Sequence, residues 1–294
     1  MVQFSAILPS FLGVVLTSGD MRLRMLEVLG HGAYGVVYLA QDLNYSSSQP
    51  KYYAVKCLLK QPEDSEHYRL QQREISYHKA ASSLPNVVRL HQVIEDDFYM
   101  YLVLDYCPGG DLFSAIIDRG VFIDHNERLR RTFLQLLDAV HDCHDIGIYH
   151  RDLKPENIMC SADGEDIYLC DFGLATRHKL SVNFGCGSSF YMSPECIGDC
   201  TGRKPFVTSI SDIWSLGIIL TNLITSRNPW HVASPSEDVA FAAYLQQGET
   251  WLRRMLPISR GACSILARIF VIEPERRITL HELRNAIKEL NSFF

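Results

Sequence analysis

The sequence predicts an α+β protein of two lobes, a strand-rich first part followed by a helix-rich second part. Three observations carry this expectation. Residues 22–40, 52–56 and 90–105 hold apolar, β-branched and aromatic runs bounded by glycine and turn residues, as strands do. Residues 67–81 and 129–144 repeat their side-chain pattern at helical spacing. A length of 294 residues is large for one core and usual for two lobes around a cleft.

The first 19 residues carry no charged side chain. They lack the basic start of a signal peptide, Pro9 interrupts the apolar run, and a membrane span would need about 20 predominantly apolar residues. Phe11–Leu16 is therefore read as a short leading strand. RLRMLEVLGHGAYGVVYLA follows and reads as strand, turn, strand around Gly30, Gly32 and Gly35. Spacing of the form GxGxxG is a weak signal alone. A dinucleotide-binding unit would open a helix at these glycines and place an acid about 20 residues on. Here a strand-like run follows, Tyr52 and Tyr53 stand where the acid should be, and that reading fails. A glycine-rich hairpin without a ligand remains the plain alternative; with a ligand, the absent Cβ atoms would let phosphates approach the backbone amides.

YYAVK is a strand that ends in Lys56. HYRLQQREISYHKAA places Tyr68, Gln71, Ile75 and His78 at helical spacing, with Glu66 near its start, favourable beside the macrodipole. LHQVIEDDFYMYLVLDYCPGGDLF reads as two strands and a linker. Leu129, Phe133, Leu136, Leu137, Val140 and His144 then mark an amphipathic helix leading to the most informative string.

That string is HRDLKPEN at 150–157, followed by DFG at 171–173. Asp152 can accept a hydroxyl proton, Lys154 can steady a moving phosphoryl group, and Asn157 and Asp171 can hold divalent metal. Phosphoryl transfer needs an aligned nucleophile and positive charge more than covalent help, and these residues supply both.

Bulk properties narrow the alternatives. The net charge of −6 argues against a nucleic-acid partner, which needs a basic face. Nine cysteines are scattered through apolar segments without CxxC pairs, so neither a disulfide framework nor a zinc site is expected. A reducing compartment, cytoplasmic or nuclear, is the expected location.

HRDLKPEN with DFG resembles the catalytic and metal-binding loops of eukaryotic-type protein kinases. LGHGAYGVVYLA, GIYHRDLKPENIM, GCGSSFYMSPEC and SDIWSLGIIL are similar to fungal serine/threonine kinases of the Ran1-like group, which act in nutrient response and restraint of meiosis. The resemblance implies a bilobal protein-kinase-like fold, with an antiparallel N-lobe sheet carrying one main helix and a mainly helical C-lobe. It also implies these bounds: 1–19 a leading strand, 20–104 the N-lobe, 105–111 the hinge and 112–290 the C-lobe. It covers about residues 20–290, and no separate regulatory domain is expected.

By the same resemblance the cofactors are ATP and Mg²⁺. The loop of Gly30, His31, Gly32, Ala33, Tyr34 and Gly35 covers the phosphates, with Tyr34 at its tip. Val37 and Ala54 pack on the adenine, Met159 is its floor, and Leu104 lies behind it. Lys56 contacts the phosphates with Glu74 as partner, the backbone of Asp105 and Cys107 bonds the adenine edge, and Asp111 reaches the ribose. Asp152 and Lys154 are catalytic, while Asn157 and Asp171 hold the metal. Lys154 indicates serine/threonine rather than tyrosine specificity. Glu195, in an SPE that replaces the usual APE, is expected to pair with Arg277, Ser188 to meet Asp152 and Lys154, and Asp212 to cap the catalytic loop.

The usual activating phosphosite falls on Phe184, which has no hydroxyl. Arg151 should then meet Ser181, another group or nothing, and the chain should be active without phosphorylation in this loop. Asp111 and Glu156 suggest a mild basic preference upstream of the target, which Asn222 weakens. Expected partners are proteins with Ser/Thr acceptors, with no nucleic acid or membrane partner and a monomeric state. A pseudokinase acting as a binding module is the rival reading, and a small-molecule kinase a third. Retention of Lys56, Asp152 and Asp171 disfavours the pseudokinase; the segment at 171–195 disfavours the small-molecule kinase.

Overall fold

Strand-forming residues dominate the first unit and helical stripes the second, and the computed structural model follows that division. It describes residues 8–32, 35–46 and 48–294. One unit comprises Met1–Ser83 and Val88–Pro108, the other Leu84–Val87 and Gly109–Phe294.

The first unit is built on β1 (Val15–Ser18), β2 (Met21–Gly32), β3 (Gly35–Asp42), β4 (Lys51–Leu59), β5 (Leu90–Glu95) and β6 (Tyr99–Asp105). These form a six-stranded antiparallel sheet in the order β1-β2-β3-β4-β6-β5. Its helix, α1 (Glu66–Ala81), starts at Ser65, whose hydroxyl accepts the Tyr68 N–H, with Glu66 in the first turn.

Directly opposed residues of an antiparallel pair share a face. Val37 opposes Lys56, Leu39 opposes Ala54, and Ala54 opposes Leu104, so these side chains lie on one face. Ile75 of α1 packs there with Leu58 and Leu102. The other face carries Tyr38, Tyr53, Val55, Cys57, Tyr101 and Val103 around Phe11.

Phe11 corrects the predicted leading strand. Pairing runs over Val15–Ser18, not Phe11–Leu16. Phe11 is instead a plug, edge-on to Tyr38, Tyr99 and Tyr101 with ring centroids 6.0, 5.0 and 5.6 Å away. Such contacts contribute roughly 0.5–1.5 kcal/mol each beyond area burial.

The second unit holds α2 (Leu112–Ile117), α3 (Asn126–Asp145), β7 (Ile158–Cys160), β8 (Ile167–Leu169), β9 (Leu180–Ser181), α4 (Pro194–Ile197), β10 (Phe206–Val207), α5 (Thr208–Thr225), α6 (Val239–Gln247), α7 (Glu249–Met255), α8 (Arg260–Ile269) and α9 (Leu280–Glu289). Helix α5 is buried along nearly its whole length, its apolar residues in the core and its buried Asp212 and Asn222 hydrogen-bonded. Trp214 on α5 meets Trp230, Phe241 and Phe270 at ring distances of 5.7, 6.1 and 5.0 Å. Strand β7 pairs with β8 as a short hairpin, and β9 pairs antiparallel with β10 across the long segment that holds α4.

Pro108 ends the first unit, and Gly109 and Gly110 begin the long segment of the second. A Cβ on Gly109 would stand 2.1 Å from the Ser161 carbonyl oxygen, so only glycine fits there. Its N–H donates to Cys160 O at 3.1 Å, and Cys160 N–H donates to Gly110 O at 2.8 Å.

Candidate active site

The first unit contributes a cation and a glycine hairpin. Lys56 on β4 and Glu74 on α1 share one side of the sheet, and Lys56 Nζ donates to Glu74 Oε1 at 2.7 Å. Both side chains are largely buried, so the pair is screened less than a surface pair. Gly30 opposes Val37 and shares the Lys56 face, and Gly32 opposes Gly35 at the tip. His31 opposes Val36, which packs towards Phe11, so its side chain lies on the other face. Ala33 and Tyr34 lie outside the described residues.

Asp105 ends β6, and its carboxylate bonds His91 Nε2 at 2.6 Å and Arg89 N–H at 3.3 Å. Cys107 is buried. In the second unit Asp111 has a structural duty, since its Oδ1 caps α2 by accepting Ser114 N–H at 2.7 Å. An isolated bridge joins Asp111 to Met159, so those two predicted nucleotide residues are neighbours.

The β7–β8 hairpin brings the predicted metal residues together. Ile158 opposes Leu169, and one step outward Cys170 N–H donates to Asn157 O at 2.9 Å. Asp171 follows directly, with φ of +64°, a conformation costly for a residue with a Cβ. Phe172 is fully buried with its ring 5.3 Å from that of His150, and Gly173 N–H donates to Asp171 Oδ1 at 3.3 Å.

Asp152 is the hub of the loop between α3 and β7. Its Oδ2 accepts Lys154 Nζ at 2.8 Å and Asn157 Nδ2 at 3.2 Å. Its Oδ1 accepts both the N–H and the hydroxyl of Ser188, each at 2.9 Å. Lys154 Nζ also donates to Ser188 Oγ at 2.9 Å, closing a ring of three residues. Asn157 Nδ2 makes a second bond, to Asp152 O at 2.9 Å, leaving Oδ1 as that amide's acceptor.

Scaffold residues hold this loop. The buried carboxylate of Asp212 on α5 accepts His150 N–H at 3.0 Å, Arg151 N–H at 2.9 Å and His144 Nε2 at 2.8 Å. Arg151 takes φ of +68°, and Asp212 fixes the strained turn. His150 links Cys170 O through Nε2 at 3.0 Å and Asp152 N–H through Nδ1 at 3.3 Å. Both histidines are thus structural.

The segment after DFG is held by a side-chain bond, a ring contact and a strand pair. Arg151 Nη2 donates to Asn183 O at 3.3 Å, the Phe184 ring packs 5.9 Å from Phe206, and β9 pairs with β10. Sequence reasoning could not find Asn183, because its contribution is a backbone carbonyl. Glu195 and Arg277 form a buried two-point pair at 2.6 and 3.0 Å, with the guanidinium 5.1 Å over Trp214.

No group of three or more His, Cys, Asp or Glu suited to a metal occurs among the described residues. The oxygen donors Asn157 and Asp171 nevertheless suit Mg²⁺, which takes a few protein oxygens and completes its shell with phosphates and water. At Gly30 a Cβ would meet nothing within 4 Å, and at Gly32 only Gly35 O at 3.7 Å, so the hairpin backbone is open to a close-lying phosphate. The residues present fit magnesium nucleotide.

The comparisons with known proteins agree. Residues 23–287 match the family described as protein kinase domain. Among curated relatives, the "Negative regulator of sexual conjugation and meiosis" of Schizosaccharomyces pombe is 45% identical over 94% of this chain and 61% of its own length. "Serine/threonine-protein kinase SKS1" of Saccharomyces cerevisiae is 39% identical over 77% of this chain and 46% of its own. "Serine/threonine-protein kinase ksp1" of Schizosaccharomyces pombe is 37% identical over 88% and 55%. The chain spans about half to three fifths of the length of these relatives. It belongs to the protein kinase family.

Proposed function

We propose that this chain is a serine/threonine protein kinase that transfers the γ-phosphoryl group of ATP to hydroxyls of protein substrates. The observation that carries the reading is the ring of Asp152, Lys154 and Ser188, with Asn157 bonded to the same carboxylate. Asp152 orients the substrate hydroxyl and takes its proton late, since a loose transition state asks little of the base. Lys154 balances charge beside it. Lys56, positioned by Glu74, holds nucleotide phosphates, and Val37 and Ala54 on the same sheet face give the adenine an apolar surface. Asn157 and Asp171 would hold Mg²⁺, which supplies positive charge against the phosphate oxygens.

The loop fastening through Arg151, Asn183 and Phe184 supports activity without phosphorylation in this segment. Asn222 is committed to Tyr191 Oη at 3.2 Å and Asn228 Oδ1 at 2.7 Å and brings no negative charge. Glu156 is exposed and Asp111 half-committed as a cap, which favours only a mild basic preference. The cysteine distribution suits work in the cytoplasm or nucleus, and the similarity to a regulator of conjugation and meiosis suits a signalling role. No helix among the described residues is long and apolar enough to cross a membrane.

The test is transfer from radiolabelled ATP with Mg²⁺ to a generic protein mixture, followed by phosphoamino-acid analysis. Label on serine and threonine is expected. Label on tyrosine or on metabolites alone, or nucleotide binding without transfer, would refute it.

A further inference from the structure

Two cysteines meet at the loop that carries Ser188, the thiol of one against the backbone of the other. Cys196 Sγ on α4 lies 3.4 Å from Cys186 O, and Gly185 N–H donates to Cys196 O at 2.8 Å. These contacts bring the chain just before Cys186 against α4. Both cysteines line one small pocket with Arg151, Asp152, Ser188 and Tyr191. Their thiols differ in access, since Cys186 is half-buried and Cys196 buried. Burial pushes the Cys196 thiol up to about 11, so at neutral pH it is a protonated neighbour rather than a first attacker.

We propose that Cys186 and Cys196 are a peroxide-reactive dithiol that closes reversibly into a disulfide. Cys186, as thiolate, attacks one oxygen of hydrogen peroxide; the O–O bond breaks, giving Cys186 sulfenic acid and, with one proton, water. Cys196 Sγ then attacks the Cys186 sulfur. The S–S bond forms, the S–O bond breaks, and the departing hydroxide takes the Cys196 proton as a second water. Two thiols are oxidised by two electrons and one peroxide is reduced. Proximity compensates for the weak nucleophile, because the second step is intramolecular, with the Cys196 thiol already against the Cys186 backbone carbonyl. A disulfide that forms on oxidation and is reversed by cellular thiols is the kind expected in a reducing compartment.

The geometry links this bond to Asp152. Gly187 separates Cys186 from Ser188, takes φ of +124°, and would put a Cβ 2.7 Å from Arg151 O. This close backbone packing on Arg151 leaves the Gly187 peptide little room, so drawing Cys186 onto Cys196 pulls on Ser188 and its bonds to Asp152. The oxidised form should transfer phosphate more slowly; this consequence, unlike the bond itself, rests on the proposed kinase activity.

The experiment treats the full chain with stoichiometric hydrogen peroxide, alkylates remaining thiols and maps peptides by mass. The expected result is one cross-linked species carrying Cys186 and Cys196, two hydrogens lighter, opened by dithiothreitol. Cys196→Ser should instead leave Cys186 as a trappable sulfenic acid, with folding checked by circular dichroism. Alkylatable thiols at both positions, over-oxidation of wild-type Cys186 to sulfinic acid, or a bond from either to the exposed Cys200 would overturn the proposal. Because the readout is mass, it fails or succeeds independently of phosphate transfer.

Discussion

Lys154 Nζ and Ser188 Oγ stand 2.9 Å apart, and each also bonds one oxygen of the Asp152 carboxylate. Ser188 therefore fixes the carboxylate as well as lying near it. A hydrogen bond to a charged group is worth about 1.5–3 kcal/mol, so Ser188→Ala should lower kcat roughly 10- to 100-fold. KM for ATP should barely change, and Ser188→Thr should restore most of the rate. Steady-state kinetics of both variants check this.

Glu74→Gln removes the charge that positions Lys56. The expected effect is a rise in KM for ATP of about tenfold, the size of one lost charged hydrogen bond, with folding intact. Steady-state rates at varied ATP measure it.

The Glu195–Arg277 pair was legible in sequence only through the SPE and EPERRI strings; nothing in the composition indicates that both are buried. Removing one partner strands a buried charge, which costs about 3–5 kcal/mol. Arg277→Ala should lower the thermal midpoint markedly. Arg277→Lys should recover little, because lysine cannot make the two-point contact. Differential scanning calorimetry decides the matter.

Asp238 gives a pH dependence. Burial acts to raise its carboxyl, but accepted N–H bonds from Phe241, His231 and Val232 outweigh it and hold the value below the ordinary range. With the folded value depressed, its stabilisation is full above the unfolded value of about 3.9 and is lost as pH falls through the folded one. Asp238→Asn should thus destabilise the chain near neutrality, with the gap to wild type closing below about pH 4. Denaturant melts across pH test this.

Phosphatase-treated protein should keep its activity within about twofold, since Arg151 already has the Asn183 carbonyl and Phe184 packs on Phe206. Dependence on an added upstream kinase would contradict that outcome.

Much of the site was readable because its chemistry is local. Asp152, Lys154 and Asn157 fall within six residues, and strand periodicity put Val37, Ala54 and Lys56 in reach of one another. Phe11 was misread because hydrophobicity reports burial, not whether the backbone pairs or a ring plugs a sheet. Leu84–Val87 was missed as part of the second unit. Its anchor is Asn86, bonded to Gln135 Oε1 and Ile167 O at 3.0 and 2.9 Å, contacts between residues distant in sequence. Asn183 acts through its backbone, which residue identity does not encode.

The most direct measurement is single-turnover phosphate transfer by Asp152→Asn beside wild type, at saturating magnesium nucleotide. Loss of the carboxylate should slow transfer by about 10²–10⁴-fold while nucleotide still binds. Transfer at the wild-type rate would contradict the assignment of Asp152 as the group that receives the substrate proton.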